Sequence, residues 1–210
     1  MKVVIKYRKT GMIRFLSPLE TNKAIERNLR RAKLPLVFSQ GFHPTPKISY
    51  LDSIATGVAQ RALYLTIEVK SWQKDFLKAI REKSVDGLYP ERAWIVNFDI
   101  NTTVTKYAFS LIMEKTAIDK EKLNRSLIIK KGKKRKEYKL EELTLTFDVY
   151  DLKKFVVLKY TLLREKLFSP WEIVKAVKIH DGLFIPVMKN VFVDNERLDS
   201  ILDREAEQYG

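Results

Sequence analysis

The sequence predicts an α+β protein of two packed ferredoxin-like halves, each β-α-β-β-α-β, with a basic β-hairpin inserted in the second. Three observations predict it. Strand-like alternation and helical apolar spacing follow one another in the same order twice. Two helix starts carry matching tetrapeptides, Ser17-Pro18-Leu19-Glu20 and Ser169-Pro170-Trp171-Glu172. Each has a capping serine, a proline in the first turn and a glutamate placed to bond back to the serine. The junction near Asn101-Thr102-Thr103 is polar but lacks glycine and proline, which predicts halves pressed together rather than strung on a linker. The expected units are residues 1–101, residues 102–193 and an acidic C-terminal helix over 194–210.

The elements of the first half follow in order. Val3 to Arg8 alternates and reads as a strand. A basic helix is expected from Pro18 to Leu34, with Ile25, Leu29 and Ala32 as its buried stripe and Pro35 ending it. Ile48 to Leu51 and Leu63 to Lys70 read as strands. Ser71 is expected to cap a helix burying Trp72, Phe76 and Ile80, and Trp94 to Phe98 closes the unit. Helices on one face of such a sheet leave the other face free to bind or to pair.

The second half repeats the order with an insertion. Tyr107 to Met113 reads as a strand and Asp119 to Arg125 as a short helix. Ser126 to Lys130 and Arg135 to Leu140 form a hairpin turning near Gly132. Leu143 to Tyr150 and Phe155 to Leu163 are long strands. A helix follows Ser169, then a strand from Val187 to Val193. Leu198, Ile201 and Leu202 form the apolar stripe of the terminal helix.

Two basic features stand out. On the first helix, Lys23, Arg27 and Arg30 recur at i, i+4 and i+7, opposite the buried stripe, with Arg31 beside them. The loop Ser39-Gln40-Gly41-Phe42-His43-Pro44-Thr45-Pro46-Lys47 comes next. Its two prolines fix φ angles and its glycine permits a sharp turn, which suits a stiff binding surface carrying Gln40, Phe42, His43 and Lys47. In the hairpin, seven of the ten residues from Lys130 to Lys139 are basic. Lys131, Lys133, Lys134, Arg135 and Lys136 would track phosphates without reading bases. Arginine dominates the helix and lysine the hairpin, which predicts fork-like contacts from one and point-charge attraction from the other. Phe42 is the best-placed ring for stacking on an unpaired base.

The run from Ile13 to Glu68 also carries a resemblance. The segments IRFLS, ERNLRRAKLP and FSQGFHPTPKIS, then Gly57-Val58 and Tyr64 to Glu68, resemble the uncharacterised radical SAM-linked family. Its members occur fused to radical SAM proteins or as separate small proteins. The sequence departs from the family pattern at Pro18, Glu20, His43 and Thr45, where His, Asp, Asn and His are usual, and at Leu63, where an acidic residue is common. The resemblance implies a radical SAM protein as a partner; it implies no reaction.

Composition narrows the function. The 210 residues are 45% hydrophobic and 31% charged, as expected of a folded, soluble chain. A net charge of +14 favours nucleic acid or another acidic partner. Cysteine is absent, which excludes disulfides, a thiol nucleophile and self-supplied iron–sulfur ligation. No apolar run reaches the ~20 residues of a membrane span, and the charged N-terminus does not read as a signal peptide. A cytoplasmic location follows as the expectation. Two distant histidines, His43 and His180, make no metal site, so neither metal nor other cofactor is expected. No catalytic residue is assigned. The reading is a non-catalytic RNA-binding accessory module in tRNA or rRNA modification or processing. Two alternatives are a protein-docking subunit for a radical SAM enzyme and an endoribonuclease using His43.

Overall fold

The computed structural model describes residues 1–131 and 136–207. Strand β1 (Lys2–Lys9) leads through a 3-10 turn at Gly11–Phe15 to helix α1 (Pro18–Arg31). The capping box forms as expected. The Glu20 N–H donates to Ser17 Oγ at 3.2 Å, and the Ser17 N–H donates to the Glu20 carboxylate at 2.8 Å. These bonds hold that carboxyl below its usual range. The helix stops at Arg31 rather than Leu34, because Lys33 sits at φ 55 and breaks the ladder before Pro35 can. Strands β2 (Ile48–Tyr50) and β3 (Ala59–Glu68) follow, then α2 (Asp75–Glu82) and β4 (Leu88–Val96). Helix α2 starts at Asp75, not after Ser71. Trp72 precedes it and packs edge-on against Phe76, with ring centroids 5.6 Å apart.

A short helix, α3 (Ile100–Thr103), leads to β5 (Lys106–Glu114), and the hairpin β6 (Ile128–Lys131) and β7 (Lys136–Lys139) follows. The helix expected over Asp119–Arg125 is absent. There Asn124 accepts the Ser126 N–H and donates to the Glu121 carbonyl, both at 2.9 Å, offering the backbone a turn instead of a helix. Then come α4 (Leu140–Leu143), β8 (Thr144–Asp151), β9 (Phe155–Leu163) and α5 (Pro170–Val177). Ser169 caps α5 by accepting the Trp171 N–H. The expected reciprocal bond is missing, because Glu172 pairs with Lys175 at 2.7 Å. Strands β10 (Phe184–Val193) and β11 (Glu196–Arg197) precede α6 (Leu198–Glu207).

The result is a mixed α+β fold with a large, mostly antiparallel sheet and, among the described residues, six helices. Nine strands form one sheet along the path β4-β1-β3-β10-β5-β9-β8, with β2 and β11 added on β3 and β10. The two halves meet on one edge of β3. Strand β2 pairs with Leu65–Ile67, and β10 runs parallel to Ala59–Gln60.

Two adjacent β-bulges set which side chains share a face. Between Tyr7↔Leu63 and Lys9↔Gln60, β3 has one extra residue, so Arg61 and Ala62 both stand opposite Arg8. Between Met188↔Phe109 and Asn190↔Ala108, β10 has one extra residue, Lys189. Tyr7, Gln60, Met188, Phe109 and Tyr160 therefore share one face, which the helices cover. Val3, Ile5 and Tyr7 pack under α1 and α2 with Ile25, Leu29 and Ile80. Phe109, Leu111 and Tyr160 pack with Ile129, Leu140 and Ile173 from the hairpin, α4 and α5.

The opposite face is only half free, contrary to the expectation of an open sheet. Over the first half it is covered by α6. Leu198 and Leu202 are fully buried, Asp199 accepts from Tyr64 and from Lys6, and Asp203 accepts from Trp94 and Arg92. Over β9 and β8 the same face is uncovered, while further in, on β10 and β5, Val187 and Ser110 of that face are buried. Thr146, Asp148, Tyr150 and Lys159 on it are exposed, whereas Phe109, Leu111, Leu158 and Tyr160 behind them are buried.

Candidate nucleic-acid interface

The segment from Val37 to Lys47 folds back on itself as a short arm rooted on β3. The Val37 N–H donates to the Glu68 carbonyl, and the Lys47 N–H to the Val37 carbonyl, both at 2.9 Å. One step out, the Ser39 N–H donates to the Thr45 carbonyl at 2.8 Å, while the Thr45 N–H donates to Ser39 Oγ at 3.1 Å. Pro46 is buried in the root, bridged to Phe38. Gly41, at φ 136, turns the chain at the tip.

The tip is where the arm departs from ordinary packing. Phe42 is 103% exposed, as open as in an extended chain. Gln40 and His43 beside it are exposed and make no hydrogen bond within the described residues. A phenylalanine left wholly in water costs hydrophobic free energy of about 2 kcal/mol relative to burial, which points to a surface that is covered by something else.

A cation–ring contact joins helix and arm. The Arg30 guanidinium lies 5.1 Å above the Phe38 ring while also pairing with Glu26 at 2.8 Å. Lys23, Arg27 and Arg31 are exposed and have no ion-pair partner among the described residues. Lys47 is drawn to Glu68 at 3.4 Å. The structure thus gathers α1's arginines and the arm into one group, with Lys23 about 10 Å along the helix from Arg30. Phe15 and Phe38 are partly exposed nearby. Tyr50 is half-buried, and its hydroxyl donates to the Asn22 carbonyl, so it is a strut rather than a stacking ring.

The hairpin is a separate group on the same side of the sheet. Pro18 and Pro170, in the first turns of α1 and α5, line one cavity of about 260 Å³ together with Ser53 and Phe168. The hairpin rides on α5, with Ile129 and Leu140 buried at its base. The arm stands at the far end of α1, about 20 Å from that cavity. No hydrogen bond or ion pair joins hairpin to helix or arm among the described residues. Lys130 and Lys139 pair with Glu137 and Glu141 at 3.2 and 3.8 Å. Lys136 is exposed. Lys133, Lys134 and Arg135 lie outside the described residues, as does the side chain of Lys131.

Reading the sequence alone passed over Arg61, Lys159 and Lys189, which are isolated in the chain and come together only through sheet register. The available signal was a cation at a polar position of a long strand; the two bulges that gather them left none. Metal chemistry finds no site: among the described residues no three of His, Asp and Glu are grouped to hold an ion. His180 is exposed and donates from Nδ1 to the carbonyl of Asp181. No helix of the described residues is long and apolar enough to cross a membrane.

Fold and surface define a basic α+β protein with an aromatic-tipped arm beside an arginine helix. Residues 2–166 match the family described as an uncharacterized protein conserved in bacteria (DUF2344), and the chain belongs to that family. The match takes in α1, the arm and the hairpin and ends before α5. No curated protein matches the chain.

Proposed function

We propose that the chain is a non-catalytic RNA-binding module, working on tRNA or rRNA during modification or processing. The observation that carries this reading is the α1–arm surface: Lys23, Arg27 and Arg31 exposed and in no ion pair among the described residues, next to a wholly exposed Phe42. Unpaired cations attract phosphates by releasing counterions, and an open ring stacks on an unpaired base. The acidic C-terminal helix packs on the other face, where two of its carboxylates, Asp199 and Asp203, are taken up. The same reading takes each half as a ferredoxin-like unit, supported by the strand orders β4-β1-β3-β2 and β10-β5-β9-β8.

The test is the affinity for bulk tRNA as a function of salt. Affinity should fall steeply as salt rises, and Arg27→Ala with Arg30→Ala should weaken it and flatten the slope by about 1 per lost phosphate contact. Absent or salt-independent binding would sink the reading.

A second reading is a docking subunit for a radical SAM enzyme, which the sequence resemblance suggests. The exposed Phe42 favours it as well, since lone aromatics anchor protein interfaces. Recovery of a stoichiometric enzyme without RNA from the source cell would select it. An endoribonuclease acting through His43 has less support: a general base needs a group to orient it, and His43 has no hydrogen-bond partner in the described residues. Cleavage of labelled RNA by the pure protein, lost in His43→Ala, would revive it.

A further inference from the structure

The uncovered face of the second half is built differently from an ordinary solvent face. Register sets Val187, Ser110, Lys159 and Asp148 in one row across β10, β5, β9 and β8. In the row beside it, Asn190, Ala108 and Thr161 are in register, and Thr146 continues it on β8. The paired bulges add Arg61 and Lys189 at the end of that second row, because each bulge turns two consecutive residues to the same side. Tyr150, exposed on the edge strand, has the Lys159 ammonium 4.4 Å above its ring.

Three cations are thus collected on one flat surface. Arg61 and Lys159 are exposed, Lys189 is half-buried, and none of the three makes an ion pair or hydrogen bond with the described residues. Register places two carboxylates on this face among the described residues: Glu114, at the end of β5, accepts from the Leu183 N–H, and Asp148 is directly across from Lys159 but forms no ion pair with it. Crowding like charges costs free energy. Burial, with Arg61 and Lys159 nearby, pulls the Lys189 ammonium below the usual lysine range. On the other half of the same face three cations have an acid, Lys6 with Asp199, Arg8 with Glu91 and Arg92 with Asp203, while Lys2 at the start of β1 has none among the described residues. A fold that pairs its cations in one place and leaves three together in another holds the second group for a ligand.

We propose that this sheet face binds single-stranded RNA, with Arg61, Lys159 and Lys189 on the phosphates and Tyr150 under a base. The inference rests on the RNA-binding reading above and adds to it a second contact surface on the opposite side of the sheet from α1. A flat array of cations and hydroxyls with one open ring suits unstacked nucleotides, whose bases can lie on the sheet. The hydroxyls of Thr146 and Thr161 lie along the same track, 3.0 Å from each other.

The experiment is fluorescence polarisation of a labelled short oligouridylate with the full chain. Arg61→Gln with Lys159→Gln alters two exposed side chains and leaves the fold intact, which circular dichroism checks. The double variant should bind about tenfold or more weaker, and its slope of log affinity against log salt should fall by about 1.4, at ~0.7 per phosphate contact on single strands. Tyr150→Leu should lower affinity severalfold without changing the slope. Unchanged affinity in the double variant, with loss in Arg27→Ala/Arg30→Ala, overturns this inference and leaves the α1–arm reading standing. No binding of oligouridylate or tRNA by the unaltered chain overturns both. A concentration-dependent dimer in sedimentation, dispersed by Lys159→Glu, assigns the face to a second copy and overturns the inference as well.

Discussion

Lys6, Arg8 and Arg92 lie on the sheet face beneath α6, and a carboxylate holds each of them. Lys23, Arg27 and Arg31, on the helix that covers the other face of the same strands, form no ion pair among the described residues. The two groups are equally basic and belong to one half of one sheet, yet only the first is compensated. At Lys6 the difference follows from burial. Side chains of Lys6 and Glu91 are 13% and 18% exposed, where an unpaired charge is expensive, whereas Arg8 and Arg92, at 43% and 50%, gain less from their acids. The α1 cations are in water and cost little to leave alone. Compensation at Lys6 therefore belongs to what holds the fold, and the unpaired α1 cations remain available to a partner. The acidic tail is a structural counter-ion for a basic sheet rather than a general neutraliser of the net charge.

The largest effect should come from breaking the compensated group. Asp199 accepts from both Lys6, at 2.6 Å, and Tyr64. Asp199→Ala leaves a shielded ammonium and a buried phenol without their acceptor and should cost about 3 kcal/mol of unfolding free energy. Asp199→Asn keeps an acceptor and should cost less. Chemical denaturation of the three proteins measures this. An alanine variant as stable as the parent would mean that α6 is not what compensates the sheet, and the comparison would fail.

Much of the contrast was legible beforehand, and the reasons for the misses are specific. The capping box at Ser17 could be read because its bonds are local, three residues apart. The stripe of Leu198 and Leu202 likewise declares a docked helix from spacing alone. What could not be read is where that helix docks: its partners Lys6, Tyr64 and Arg92 lie more than a hundred residues away in the chain, and only the fold selects them. Helix Asp119–Arg125 was misread because Asn124 offers the backbone a turn that helical spacing does not register. The cations of α1 were found by period and those of the arm by proximity. Arg61 and Lys189 were missed because a bulge decides their direction, and a bulge is a tertiary event.

The uncompensated group should answer mutation in the opposite sense. Phe42→Ala removes a ring that touches solvent only, so stability should change by less than about 0.5 kcal/mol. Affinity for tRNA should fall by about 1–2 kcal/mol, the worth of one stacked base. Thermal melts and filter binding of the same preparation separate the two. A ring that proves important for stability but not for binding would place the arm among the structural parts and remove it from the interface.

The smallest and sharpest case is Lys9, a cation that is buried and yet has no carboxylate in contact. Its ammonium donates to the Leu16 carbonyl at 2.8 Å, and burial lowers its pKa to about 8, with Glu20 working weakly the other way. Between about pH 8 and the ordinary lysine value near 10.5, the unfolded chain holds a proton that the folded chain has released. Stability contributed by this group therefore rises with pH through that window, whereas below it both states are charged and the burial cost is felt in full. Tyr7 acts oppositely at higher pH, because burial raises its pKa and only the unfolded chain ionises above about pH 10. Comparing the parent with Lys9→Met cancels the tyrosine effect. Between about pH 7.5 and pH 9.5 the parent should gain stability relative to the variant. Parallel pH profiles would show that the carbonyl of Leu16 alone compensates Lys9, and that a cation in this protein can be buried at no cost without an acid.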